Sequence, residues 1–163
     1  MHPRAQIALQ ASKDCVDQIR KYLKKEVVPE NVDCALVGST YITDRQDSDV
    51  DIIVRLGHPA YCFHHEVQTI MQTHGWIPGG SESESAGGEW DSYKKVVADV
   101  LVNVILVWDH EYYDKWLTAA EVCRFMHLMG VQPKYWNGLV HGVHEIIMDD
   151  STAVTELTRR DYE

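Results

Sequence analysis

A chain of 163 residues with 45% apolar content sets a prior of one ordinary globular domain, long enough for a core without disulfide staples. No apolar stretch approaches the ~20 residues of a membrane span, and the start MHPRAQIALQASKD turns polar too early for a signal peptide, so the chain reads as cytoplasmic with no membrane partner. A formal net charge of −10 repels polyanions at long range and argues against an extensive nucleic-acid-binding surface, while leaving room for a local site that takes a nucleotide through a metal ion.

Residues 5 to 25 read as a helix, because Ile7, Ala11, Cys15, Ile19 and Leu23 recur at the four-residue step of one helix face. The stretch VVPENVD breaks it. Cys34 to Val37 then reads as a short buried strand ended by Gly38-Ser39, and residues 40 to 48 as a polar loop or short turn. Asp49 to Leu56 alternates at first and then turns fully apolar, which predicts a strand. Pro59 suits the first residue of a helix that buries Phe63, Val67, Ile70 and Met71 and closes at Gly75. GGSESESAGGEW has too little apolar content to order itself and reads as a mobile surface loop. From Tyr93 to Trp108 the chain is dense in valine and predicts one long strand, or a hairpin bent near Ala98-Asp99. Asp109 can cap a further helix lined by Tyr113, Trp116, Ala120, Cys123 and Met126 or His127, which Gly130 and Pro133 stop. A last helix runs from about Lys134 to Met148, with Tyr135, Leu139, Val143, Ile146 and Ile147 inward. The order predicts a single α+β domain: a small mixed sheet flanked by helices, with a core over about residues 5 to 110 and a helical C-terminal third. The four cysteines, Cys15, Cys34, Cys62 and Cys123, show no short paired spacing and read as reduced, mostly buried thiols.

The chemistry concentrates in ALVGSTYITDRQDSDVDIIV, residues 35 to 54. Side chains alternate along a strand, so Asp49 and Asp51 share one face about 6.6 Å apart while Val50 and Ile52 point into the core. Two carboxylates this close repel each other, and a divalent cation removes the repulsion. Hard oxygen ligands favour Mg²⁺ or Mn²⁺ over zinc. Gly38 lets the backbone come close to a ligand, and Ser39 offers a hydroxyl and an N–H at the start of a turn, donors that suit a phosphate. Together these describe a site for a nucleoside triphosphate. Asp47 reads as a turn or cap residue. Lys94 and Lys95 sit on the strand before the site, where one can face a triphosphate or both can be surface residues. His141 and His144 share a helix face, but no third zinc ligand is evident beside them.

Gly38-Ser39, nine residues, then Asp49-Val50-Asp51-Ile52 resembles the signature of the DNA polymerase β-type nucleotidyltransferase superfamily. The string DSDVDIIV is especially similar to the minimal and antibiotic nucleotidyltransferases, and the resemblance covers about residues 5 to 110. It implies a sheet of the nucleotidyltransferase type, Mg²⁺ or Mn²⁺ as cofactor, and transfer of a nucleoside monophosphate from an NTP to an acceptor with release of pyrophosphate. It places Ser39, beside the nucleotide-binding Gly38 read above, at the triphosphate, and Asp49 and Asp51 on two metal ions. The acceptor is open between a small molecule, a protein hydroxyl and an RNA end. A third carboxylate is expected on a later strand, but within VLVNVILV that place is held by Asn103. An amide can ligate a metal, but it carries no charge and is a poor proton acceptor. Asp99, four residues back and about 13 Å away on a straight strand, can substitute only if the chain bends. Asn103 therefore also supports a second reading, a degenerate relative that binds nucleotide or protein without chemistry.

Overall fold

The structure is a computed structural model and describes residues 2–23, 28–43, 46, 48–81 and 90–130. Its first helix, α1 (Pro3–Tyr22), starts where Pro3 supplies a fixed φ and the His2 ring accepts a hydrogen bond from the Arg4 N–H at 3.2 Å. Small residues on its inner face, Ala5, Ala8, Ala11, Ser12 and Cys15, bring the helix close to the sheet, and Val16 and Ile19 complete the contact.

Four-residue β1 (Cys34–Val37) runs straight into the short helix α2 (Gly38–Thr43), and β2 (Val50–Arg55) follows. One turn of helix, α3 (His58–Tyr61), carries Pro59 near its start, and α4 (His64–Thr73) follows after a break at Cys62-Phe63. Then come β3 (Ile77–Ser81), β4 (Trp90–Val97), β5 (Val100–Val107) and α5 (His110–Leu128). The Asp109 side chain caps α5 by accepting from the Glu111 N–H at 2.8 Å.

The five strands form one mixed sheet in the order β1-β2-β5-β4-β3. β2 and β5 run parallel, and every other pair is antiparallel. β4 and β5 are joined by a two-residue turn in which Ala98 (φ 48°) and Asp99 (φ 63°) are both left-handed, the backbone that matches the twist of a tight hairpin. The larger core fills the face under α1 and α4, with Val50, Ile52, Val54, Val100, Val102, Val104 and Leu106 from the two central strands. The opposite face is covered by α5, where Ile53, Ile105 and Val107 pack on Tyr112, Tyr113 and Ala120. The fold is thus α+β with a mixed sheet, and among the described residues no helix is long and apolar enough to cross a membrane.

Several expectations change. The segment taken for a loop after Gly38 begins as α2, because Thr40 and Ile42 find burial there. The helix expected from Pro59 to Gly75 is two helices, and Phe63, expected inside it, lies at the break, 37% exposed. β3 falls where no strand was expected. The four thiols are free, with Cys15 and Cys123 buried, Cys34 half-buried and Cys62 exposed. Asp47, residues 82–89 of the expected loop, the helix expected over 134–148 and the His141/His144 pair lie outside the described residues.

Candidate functional site

β2 carries the apolar alternation Val50, Ile52, Val54 on the α1 side, which turns Asp51 to the other face. Its cross-strand neighbours are Val37 on β1 and Asn103 on β5, and Asn103 is itself opposite Lys94 on β4. Asp51, Asn103 and Lys94 therefore form one row across the centre of the sheet. The Asn103 amide donates from Nδ2 to Asp51 Oδ1 at 2.7 Å. Lys94 Nζ lies 3.3 Å from Asp49 Oδ2. Asp49 precedes β2 by one residue, and its backbone carbonyl accepts from Thr40 Oγ1 at 3.2 Å, which ties the aspartates to α2.

Gly38 has a defined steric role. It sits at φ +73°, and a Cβ there would come within 2.0 Å of Asp51 Oδ2. The glycine makes room for the carboxylate and supplies the left-handed turn from β1 into α2. Close approach of the backbone was expected toward a ligand; the group it admits is Asp51 itself. Ser39 follows in the first turn of α2, where its hydroxyl shares a hydrogen bond with Ser48 Oγ at 3.0 Å and its carbonyl accepts from Thr43 Oγ1 at 2.6 Å. The Arg4 guanidinium reaches from α1 to the Ser48 carbonyl. On its far side α2 is anchored to α5, where Arg124 donates to the Tyr41 carbonyl at 2.7 Å and lies over the Tyr41 ring.

Burial pushes the Asp51 carboxyl up to about 6 from its ordinary 3.8. The Asn103 hydrogen bond pulls it down, the nearby Asp49 charge pushes it up, and Lys94 pulls it down. The remaining amide oxygen, Asn103 Oδ1, is buried with no hydrogen-bond partner. A partly buried carboxylate, a second acid nearby and an amide oxygen without a hydrogen-bond partner are hard oxygen donors, and their chemistry suits Mg²⁺ or Mn²⁺. Among the described residues no group of three or more Asp, Glu, His or Cys side chains converges on one point. Asp99 does not supply the third acid: it sits in the β4–β5 turn, out of the strand.

The structure thus gathers Gly38, Asp49, Asp51 and Asn103, and sets Ser39 beside them through Ser48. Lys94 belongs to the same site, whereas Lys95 points to the other face, where it donates to the His74 carbonyl at 2.7 Å and lies over Trp76. A signal for Lys94 existed in the sequence. A two-residue turn at Ala98-Asp99 sets Val97 against Val100 and, counting outward, Lys94 against Asn103. No comparable signal marks Arg4 or Ser48, which come together across the fold. No protein-family model and no curated protein sequence matches the chain.

Proposed function

We propose that the chain is a metal-dependent nucleotidyltransferase that moves a nucleoside monophosphate from an NTP to an acceptor hydroxyl. The observation that carries this reading is the half-buried Asp51 carboxylate, held near Asp49 in a niche that only a glycine at position 38 leaves open. Asp49, Asp51 and the Asn103 amide oxygen would hold the cation. When bound, Mg²⁺ or Mn²⁺ neutralises the triphosphate and the charge that develops on it during displacement. Ser39, at the start of α2, donates to the phosphates. The Asn103 N–H fixes the Asp51 rotamer, so the carboxylate is oriented before substrate arrives. In the transfer, the acceptor oxygen bonds to the α-phosphorus as the α–β phosphoanhydride bond breaks. Pyrophosphate leaves with the bonding electrons, and the acceptor proton passes to water, because Asn103 is too weak a base to take it.

One observation favours a second reading, nucleotide binding without transfer. Asn103 and Lys94 already satisfy part of the aspartate pair, and no third acid among the described residues stands ready to activate an acceptor. Incubation with each labelled NTP, Mg²⁺ or Mn²⁺, and a lysate of the host separates the two. Label transferred by the wild type and abolished in Asp49→Asn and Asp51→Asn supports the transferase. Metal-dependent NTP binding with no transfer selects the binding module. NTP binding that is indifferent to both substitutions rejects the site.

A further inference from the structure

We propose that Lys94 and Asn103 together take the place of a second divalent cation, so that this site binds a single Mg²⁺ or Mn²⁺. The inference rests on the cation site proposed at Asp49 and Asp51 and concerns how many ions that site holds.

The argument is one of charge and position. Two divalent ions require an acid-rich site, and three carboxylates that hold two such ions end with one net positive charge. Here the third acid is replaced by a neutral amide, and an ammonium is added. Two carboxylates and one ammonium leave one net negative charge, so one divalent ion brings the site to the same single positive charge. A second ion would add two more positive charges to a site that already holds Lys94 Nζ 3.3 Å from Asp49 Oδ2. Like charges at such range repel strongly unless water fills the space.

The placement is built in, not incidental. Lys94 is opposite Asn103 in the β4–β5 ladder, and Asn103 is opposite Asp51 in the β5–β2 ladder. The two substitutes thus come from adjacent positions of one row. Asn103 Nδ2 takes one oxygen of Asp51, and Lys94 takes one oxygen of Asp49. Each carboxylate keeps a second oxygen, that of Asp51 lying against Gly38, and Asn103 Oδ1 is buried without a hydrogen-bond partner. The neighbouring Lys95 shows the contrast, since its ammonium is committed to the opposite face.

The test counts Mn²⁺ on the full-length chain from the loss of the free-ion electron paramagnetic resonance signal, with Mn²⁺ alone as the probe. One ion per wild-type chain is expected. Lys94→Met keeps one ion and binds it roughly tenfold more tightly, because a nearby positive charge is gone. The double variant Lys94→Met/Asn103→Asp takes up two ions, with the spectral broadening of a coupled Mn²⁺ pair. If the double variant does not fold, Lys94→Met decides the point: Mn²⁺ affinity unchanged from wild type overturns the inference, and Lys94→Arg serves as the charge-keeping control. Two ions on the wild type or on Lys94→Arg overturn the inference, as does a folded double variant that still binds one. Failure of the underlying reading looks different: no Mn²⁺ on the wild type, or binding unchanged by Asp51→Asn, removes the cation site itself.

Discussion

On one face of β2, Val50, Ile52 and Val54 are wholly buried under α1. On the other, the same strand presents Asp51 to Gly38 and Asn103, and only Ile53 joins a core, beneath α5. The first face is insulated by close-packed apolar side chains. The second is apolar only at Ile53; Asp51 lies at the end near α2, and Arg55 at the other end meets His110 and the Tyr113 ring of α5. The difference teaches that a six-residue strand can separate stability from chemistry by alternation alone. The apolar face holds the strand in place strongly enough for the other to keep a carboxylate in an unfavourable setting.

This contrast can be broken most forcefully from the apolar side. Ile52→Ala leaves a cavity in the main core and is expected to cost roughly 2–5 kcal/mol of stability. Mn²⁺ affinity of the fraction that remains folded should stay near the wild-type value. Urea unfolding and metal titration check the two halves, and a large loss of Mn²⁺ affinity in folded protein would show that the faces are not separable.

Gly38→Ala strikes the polar side. The left-handed φ and the clash with Asp51 Oδ2 together cost about 2–3 kcal/mol. The substitution should also displace the carboxylate, so Mn²⁺ binding falls much further than stability does. Calorimetry against a parallel melt tests this. Equal Mn²⁺ affinity in the variant would mean that the niche is not needed to position Asp51.

The third effect is the smallest and the most specific. Asp51 titrates at about 6 in the folded chain against an ordinary 3.8, so folding favours its neutral form. Its contribution is therefore fully present below about pH 4 and is lost as pH rises through about 6. In EDTA, the stability of Asp51→Asn relative to wild type should rise by about 2 kcal/mol between those limits. Saturating Mg²⁺ at neutral pH should restore the wild type and leave the variant unchanged. Chemical denaturation across pH checks this, and a difference that does not change with pH would show that Asp51 is not held in a desolvated place.

The parts of the fold governed by local rules were legible in the sequence. Periodicity located α1 and its buried Ala11, Cys15 and Ile19. Asp109 announced the cap of α5, and the hairpin bend fell at Ala98-Asp99. The layout of the candidate residues was legible for a related reason: Asp51 and Asn103 are partners across β2 and β5, and Asp49 lies one residue ahead of β2. What escaped depends on contacts distant in sequence. α2 looks polar, but Ile42 is buried against α5 by Ala119 and Cys123, which no local pattern reveals. Phe63 has the right spacing for a core position, yet the chain breaks there and leaves it at the surface. The role of Gly38 needed Asp51 in three dimensions before it could be assigned.

β3 has one further consequence. Its sequence, Ile-Pro-Gly-Gly-Ser, is a poor strand former, and its pairing with β4 shifts register between Pro78 and Ser81. Among the described residues it is also an edge of the sheet. An exposed edge invites a strand from another molecule to add on, and Ile77, 69% exposed, would make such an addition more adhesive. Pro78 removes a backbone donor, and the irregular register denies an incoming strand a continuous row of partners. The residues that conceal β3 from a propensity reading thus guard this edge against uncontrolled self-association.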